Sequence, residues 1–173
     1  MDRRSRPAPA SRWCLTAMRI HLLAVGQKMP DWVVHGYEEY SRRMPREASL
    51  LLTELKAEKR VAGKTAQQFM AAESERILSS IPANCQLWVF DEHGTIPDTR
   101  QLADWCRNGL QSGQDLCLVI GGPDGLAPSI KQRAHRLISL SRLTLPHPLV
   151  RIVVAEQLYR AFSILQNHPY HRE

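Results

Sequence analysis

The chain has 173 residues, of which 43% are hydrophobic and 23% are charged, and it carries a formal net charge of +6. This composition is typical of a soluble globular domain that is long enough to bury a core without disulfides or metal. No apolar run reaches the ~18 residues of a membrane span, and no two of the four cysteines form a CxxC pair. The sequence therefore predicts no membrane segment, no metal site and no disulfide framework.

The first 17 residues differ in composition from the rest of the chain. They are rich in Pro, Arg and Ala, they have no periodic apolar face, and they lack the apolar core of a secretory signal. Half of the net positive charge lies in them, so the remainder is only mildly basic. We expect residues 1–17 to be a disordered extension or an over-extended start, and residues 18–173 to form a single domain.

After residue 17, apolar runs alternate five times with segments that have helical spacing. Nearly continuous apolar runs indicate strands that are buried on both faces. The alternation therefore predicts an α/β fold, a parallel sheet with helices on both faces. The expected strands are 20–26, 49–56, 86–91, 115–120 and 139–145, the last being a short strand or an extended loop, and the expected helices are 30–44, 65–80, 99–109, 128–138 and 149–166.

The ends of the expected strands are where a ligand would bind, because open parallel sheets bind ligands beyond their C-terminal edge. The most informative segment is IGGPDG, in which Gly121 and Gly122 let the backbone approach a ligand closely. It is neither a GxGxxG fingerprint nor a phosphate loop, which would need a lysine. From the residues alone, this segment is either a ligand loop or a tight turn.

The C-terminal quarter carries three further patterns. Pro146 and Pro148 flank His147, which predicts a fixed extended loop and a turn role for His147 more readily than a ligand contact. The last expected helix is apolar nearly all round, which favours an oligomer interface, and Glu156 and Arg160 are spaced for a helical ion pair. The tail NHPYHRE combines aromatic and basic groups, so it is either a frayed terminus or a segment that stacks on an unpaired base.

Three blocks of the chain match one family. They are VGQKMPDW at 25–32, IGGPDG at 120–125 and the block SLSRLTLPHPLVRIVVAEQLYRAFSILQNHPYHRE at 139–173. With these blocks, residues 18–173 resemble the ribosomal large-subunit RNA methyltransferase H family of the SPOUT methyltransferases. The stretch DEHGTIP at 91–97 departs from the aliphatic-Asp-x-x-Gly pattern of that family. The resemblance implies a C-terminal trefoil knot, a cytoplasmic homodimer and methylation of N3 of a pseudouridine in large-subunit (23S) ribosomal RNA, in the assembled ribosome.

The resemblance also implies S-adenosyl-L-methionine as the cofactor, bound by the loops of the knot, and a substrate site that the C-terminal tail of the other subunit helps to form. No metal is implied. The cofactor contacts expected on this sequence are Phe90, Gly121, Gly122, Ser141, Arg142, Leu143, Thr144, Leu145 and Pro146.

The tail supplies the catalytic candidates. Methyl transfer is an in-line displacement, so the protein mainly aligns the nucleophile. A uracil-type N3 is protonated near neutral pH, so a base or an anion-stabilising cation would help. His168, His171 and Arg172 are the candidates for this role, with Arg151 a weaker one, and Tyr170 or His168 is expected to position the base. Two alternatives remain: a nucleotide- or flavin-binding domain, and a non-catalytic ribosome-binding dimer.

Overall fold

The computed structural model describes residues 17–171, in which five strands and five helices alternate. Most of the 1–17 segment, together with Arg172 and Glu173, lies outside the described residues. The strands are β1 Met18–Val25, β2 Ala48–Leu55, β3 Cys85–Thr95, β4 Asp115–Ile120 and β5 Arg136–Ile138. The helices are α1 Asp31–Ser41, α2 Ala66–Ser80, α3 Thr99–Ser112, α4 Pro128–Arg133 and α5 His147–Leu165.

The five strands form one parallel sheet in the order β2-β1-β4-β3-β5. β1 lies inside the sheet, where it pairs with β2 over its whole length and with β4 over most of it. β5 forms the edge beyond β3. Because all strands point the same way, the ends of β1, β3, β4 and β5 lie along one edge of the sheet.

Two cores cover the two faces of the sheet. In β4, Leu116, Leu118 and Ile120 face a core that contains residues of α1, α3 and α5. The alternate residues Cys117 and Val119 face a second core, which is closed by residues of α2 and α4. This alternation follows the two-residue side-chain period of a strand. The predicted α/β fold, with a parallel sheet and helices on both faces, is therefore confirmed.

Two helices begin where the sequence supplies a capping box. The Thr65 hydroxyl accepts a hydrogen bond from the Gln68 amide at 3.3 Å, and the Gln68 side chain accepts one from the Thr65 amide at 2.9 Å. Asp98 and Gln101 repeat this exchange at the start of α3. Each cap satisfies helix amides that would otherwise lack partners and contributes about 1 kcal/mol.

The predicted boundary between α4 and β5 is wrong. The helix expected at 128–138 ends at Arg133, and Arg136–Ile138 form the fifth strand. Of the two alternatives for 139–145, a short fifth strand or an extended loop, the structure has a loop. The cause is a long-range contact: the His135 amide donates to the Leu87 carbonyl at 2.7 Å, and the Leu87 amide donates to His135 Nδ1 at 2.9 Å. These bonds draw the chain onto β3 although its local residues favour helix.

Two features of the C-terminal part bring the elements close together. A Cβ on Gly94 would lie 2.5 Å from the Ile138 carbonyl carbon, so only glycine allows β3 to run this close to β5. α5 begins at His147, with Pro146 at its N-cap and Pro148 in its first turn, where a missing amide costs nothing. The extended loop expected through His147 is therefore the start of a helix.

In the described residues, no helix is both long and apolar enough to cross a membrane.

Candidate active site

A cavity of about 500 Å³ lies at the C-terminal ends of β3, β4 and β5. This volume falls within the range of ~300–1,000 Å³ that is usual for small-ligand sites. Three segments wall it: residues 90–92 of β3, residues 120–126 after β4, and the stretch from Ile138 to the first turn of α5. The topology alone makes these segments converge, because each follows a strand of the same parallel sheet.

Most of the predicted cofactor contacts meet at this cavity. Seven of the nine line it, namely Phe90, Gly121, Gly122, Ser141, Leu143, Thr144 and Leu145. The other two, Arg142 and Pro146, are exposed and are not among the lining residues. Leu143 is 75% exposed, which is unusual for a leucine and leaves an apolar surface at the mouth of the cavity.

The glycine loop after β4 has room only for bare backbone. A Cβ on Gly121 would lie 2.6 Å from Leu126 Cγ, and a Cβ on Gly122 would lie 2.6 Å from Glu73 Oε2. The Gly125 amide donates to the Gly122 carbonyl at 3.0 Å, which closes the turn, and Gly125 adopts a φ of +84°. The two adjacent glycines are therefore required by packing, and they leave the backbone on the cavity side uncovered.

Three carboxylates that were not predicted from the sequence lie on the cavity wall: Asp91, Glu92 and Asp124. Asp91 Oδ2 forms an ion pair with Lys131 Nζ at 2.5 Å. Burial alone would raise the pKa of the Asp91 carboxyl, but Lys131 and the His93 amide outweigh burial and lower it. Asp91 is therefore ionised at neutral pH. Its place at the end of an apolar strand was the available signal.

The cavity wall has both an acidic side chain and a helix N-terminus. Three carboxylates line it, and no Lys or Arg is among its lining residues in the described part of the chain. Asp91 and Asp124 are paired with Lys131 and Arg60, so Glu92 is left to face a cationic group, while the first turn of α5 faces the cavity with its amide end. Among the described residues of the chain, no grouping of three or more His, Cys, Asp or Glu side chains could hold a metal ion.

His147 lies on the cavity wall, in the first turn of α5, although the sequence favoured a turn role for it. Its Nε2 lies 3.4 Å from Arg151 Nη2. Burial lowers the pKa of His147, and the positive charge of Arg151 lowers it further. The cavity therefore contains a neutral imidazole at neutral pH, which can both donate and accept a hydrogen bond.

Arg151, the weaker catalytic candidate, is 1% exposed and lies beneath the cavity. Its Nη1 bonds Glu54 Oε1 at 2.6 Å, and its Nη2 donates to the carbonyl of Gly26 at 2.7 Å and to that of Val25 at 3.3 Å. The guanidinium thus joins the ends of β1 and β2 to α5. These contacts describe a structural support for the site and leave few donors for a substrate.

The C-terminal tail folds back on α5 of its own chain. The His168 amide donates to the Ser163 carbonyl at 2.8 Å, and the Tyr170 hydroxyl donates to Glu156 Oε1 at 3.2 Å. The Arg160 guanidinium lies 4.8 Å from the centre of the Tyr170 ring and also pairs with Glu156. Burial raises the pKa of Tyr170 to about 12, and neighbouring Glu156 adds to the shift. The phenol is therefore neutral at neutral pH.

The tail and the cavity of one chain lie apart. None of His168, Tyr170 and His171 lines the cavity. The tail packs around Glu156, six residues after Val150, the last residue of α5 that lines the cavity, and this is about 9 Å along the helix axis. Arg172 lies outside the described residues. Most of the predicted cofactor contacts are therefore brought together by the fold of one chain, and His168, Tyr170 and His171 do not join them there.

The sheet, the glycine loop and the cavity define the chain as a parallel α/β domain with a cavity of small-ligand size at its strand ends. A family model described as "Predicted SPOUT methyltransferase" matches residues 18–171. The chain therefore belongs to the SPOUT methyltransferase family, as the resemblance predicted.

Several similar proteins are named Ribosomal RNA large subunit methyltransferase H. The one from Nitrosomonas eutropha is 54% identical over 155 residues, which cover 90% of this chain and 99% of that protein. Those from Paraburkholderia phymatum and Burkholderia mallei are 48% and 50% identical over the same coverage. A solved structure of a probable methyltransferase from Bordetella pertussis Tohama I shares the fold, with a TM-score of 0.53, 16% identity and coverage of 83% of this chain and 96% of that one.

Proposed function

We propose that this protein transfers the methyl group of S-adenosyl-L-methionine to N3 of a pseudouridine in large-subunit (23S) ribosomal RNA. The observation that carries the proposal is the glycine-walled, acid-lined cavity in a chain of the SPOUT methyltransferase family. The choice of ribosomal RNA rests on the relatives, which share the name Ribosomal RNA large subunit methyltransferase H and cover 90% of the chain.

The residues of the cavity fit the proposed cofactor. S-adenosyl-L-methionine is a sulfonium cation without phosphate, and it supplies an electrophilic methyl group. The carboxylate of Glu92 suits a cation, because Asp91 and Asp124 are already paired with Lys131 and Arg60. Among the described residues no Lys or Arg lines the cavity, which disfavours a nucleotide polyphosphate. The bare backbone of Gly121 and Gly122 lets a flat ligand lie close to the loop.

A trefoil knot in the C-terminal part belongs to the same proposal. Its support is the path of the chain: β5 lies at the sheet edge beyond β3, whereas Arg151 of α5 bonds the carbonyls at the end of β1, inside the sheet. Residues 139–146 therefore cross from the edge back over the ends of β3 and β4. In a knotted chain this crossing passes through the loop that precedes it, and the crossing segments would be those that hold the cofactor.

We further propose a cytoplasmic homodimer that acts on assembled ribosomes, with the tail of each subunit serving the cavity of the other. Two features support this arrangement. The tail packs about 9 Å along α5 from Val150, the last residue of that helix to line the cavity of its own chain, and a second cavity of about 350 Å³ opens beside α5, with Pro97, Leu140 and Val153 among its lining residues. In that dimer, His168, His171 or Arg172 of the tail would assist loss of the N3 proton, and Tyr170 or His168 would position the base.

The test is transfer of labelled methyl groups from S-adenosyl-L-methionine to ribosomes that lack native modifications, with free ribosomal RNA in parallel. We expect label in the large-subunit RNA of ribosomes and none in free RNA. Absence of label in both, from protein shown to be a folded dimer, would refute the proposal and favour a non-catalytic ribosome-binding role. Tight ATP or flavin binding without S-adenosyl-L-methionine binding would instead favour a nucleotide-binding domain.

A further inference from the structure

Residues 56–64, between β2 and α2, form a basic arm that lies beside the glycine loop after β4. Its exposed cations are Lys56, Lys59, Arg60 and Lys64. Arg76 of α2 anchors the base of the arm, because its Nη1 donates to the Lys56 carbonyl at 3.0 Å and its Nη2 pairs with Glu58 at 2.5 Å. The arm is therefore held against the body of the protein while its lysines point to solvent.

Arg60 joins the arm to the cavity wall. Its Nη2 forms an ion pair with Asp124 of the glycine loop, which lines the cavity. The same guanidinium lies 4.5 Å from the centre of the Phe69 ring. Since these two contacts occupy both the edge and the face of the guanidinium, Arg60 is less available for a phosphate than its neighbour Lys59.

Glu73 of α2 forms a second, buried connection between the arm and the loop. It is 2% exposed, and its Oε1 accepts a hydrogen bond from the Glu58 amide at 3.0 Å and lies 3.9 Å from Arg60 Nη2. Its Oε2 is buried without a hydrogen-bond partner in the described residues, on the side where a Cβ of Gly122 would meet it. A buried carboxylate oxygen without a partner is costly, so its presence between two functional segments calls for an explanation.

We propose that the basic arm binds RNA phosphate through Lys56 and Lys59, and that Arg60 and Glu73 couple this binding to the glycine loop. Phosphate bound to the arm favours the arm position of this structure, in which Arg60 pairs with Asp124. In that position the glycine loop keeps the conformation that binds the cofactor. By thermodynamic linkage, each ligand then raises the affinity for the other by the same factor. This inference rests on the proposed function, which supplies both ligands.

The coupling is tested by measuring the dissociation constant of labelled S-adenosylhomocysteine, which occupies the site without transfer. Equilibrium dialysis is performed on the full-length protein, alone and with ribosomes that lack native modifications. We expect ribosomes to tighten binding by about tenfold, within the usual range of such couplings. Arg60→Gln and Asp124→Asn should each reduce this tightening to less than about twofold, and the double variant should lose no more than either single one.

Further variants separate the two parts of the inference. Replacing Lys56 and Lys59 together with Gln should weaken ribosome binding and flatten its salt dependence by about two units of slope, without changing cofactor affinity in the absence of ribosomes. Glu73→Gln keeps the shape of the side chain and should reduce the coupling as Arg60→Gln does. Arg107→Gln removes an exposed charge from the later half of α3, near the opposite sheet edge, and should change neither affinity.

Three outcomes would count against the inference. If the wild-type protein binds both ligands with no mutual effect, or if Arg60→Gln keeps the full effect while remaining folded by circular dichroism, the coupling is refuted and the proposed function stands. If the wild-type protein binds neither S-adenosylhomocysteine nor ribosomes, the proposed function fails, and the coupling fails with it.

Discussion

The cavity and the C-terminal tail both contain side chains suited to methyl transfer, but the fold places them in different ways. The cavity is assembled from the ends of three strands of one sheet, so its residues meet wherever that sheet forms. The tail follows the last helix, and in the described residues it packs on α5 through contacts with Tyr159, Glu156, Arg160 and Ser163. The comparison indicates that one chain is sufficient to build the cavity, whereas the proposed function requires the tail to serve a cavity on a second subunit.

Mixed dimers test that difference most strongly. A protomer with Gly122→Ala and an intact tail is combined with a protomer that lacks residues 168–173. The homodimer without the tail should lose about 10³-fold in methyl transfer to ribosomes, because it lacks its general acid–base groups. The Gly122→Ala homodimer should lose about 100-fold, because its glycine loop is displaced. The mixed dimer should regain about half of the wild-type rate, since one complete site remains in the two-fold assembly.

The labelled-methyl assay on purified mixed dimers measures this recovery. Light scattering confirms that the shortened protomer still dimerises. A mixed dimer as inactive as both homodimers would show that the tail serves the cavity of its own chain. The cavity and the tail would then both act within one subunit.

Gly122→Ala tests the proposed cofactor cavity separately from the tail. The added Cβ would lie 2.6 Å from Glu73 Oε2 and 3.2 Å from Val25 Cγ1, so the loop must shift. A shift of about 1 Å can cost about 100-fold, and we expect S-adenosyl-L-methionine affinity to fall by that order in isothermal titration calorimetry. The control is Gly109→Ala in α3, whose Cβ would meet only the flexible side chain of Met18. Unchanged affinity in Gly122→Ala would contradict the assignment of the cavity.

The support beneath the cavity is tested by Arg151→Met. Loss of the guanidinium leaves Glu54 and two carbonyls without their donor, and breaking such a pair should lower the free energy of unfolding by about 3 kcal/mol. Urea denaturation measures the change. Arg42→Met is the matched control, because Arg42 pairs with Glu38 on the surface of α1 and should cost less than about 1 kcal/mol. Equal costs for the two variants would show that Arg151 is not a structural support.

The smallest expected effect is a pH dependence from His147. Its pKa is lowered in the folded protein by burial and by Arg151, whereas the unfolded chain keeps a value of about 6.5. As the pH falls below about 6.5, the unfolded state takes up a proton that the folded state does not, so stability falls by at most about 1.4 kcal/mol per pH unit. Urea titrations at several pH values should show a flatter profile for His147→Gln than for the wild-type protein. An identical slope in His147→Gln would contradict the lowered pKa.

Sequence reasoning was sufficient where a residue's neighbours in the chain determine its structure. The first four strands follow from apolar runs. The adjacent glycines Gly121 and Gly122 also indicated the site, because close backbone approach is a local property. The carboxylates on the cavity wall were not predicted, because Asp91 meets Lys131, and Asp124 meets Arg60, only after the sheet has formed.

The wrong boundary between α4 and β5 has the same origin. Residues 128–138 contain good helix formers, and the pairing that makes 136–138 a strand is with Trp88–Phe90 of β3, about 50 residues earlier. The position of the tail was equally beyond local reasoning, because Tyr170 bonds a helix residue that is 14 positions away. Tertiary contacts override propensity at each of these places.

The position of β1 inside the sheet, between β2 and β4, has a consequence for the nascent chain. Its second neighbour, β4, begins about 90 residues after β1 ends, so at ~5–20 residues per second the ribosome needs several seconds to deliver it. During that interval one side of an apolar strand has no partner to accept its backbone hydrogen bonds. Nascent chains of this protein are therefore exposed to strand-edge association and to chaperone capture before β4 emerges, and slower translation of residues 26–114 should lengthen that exposure.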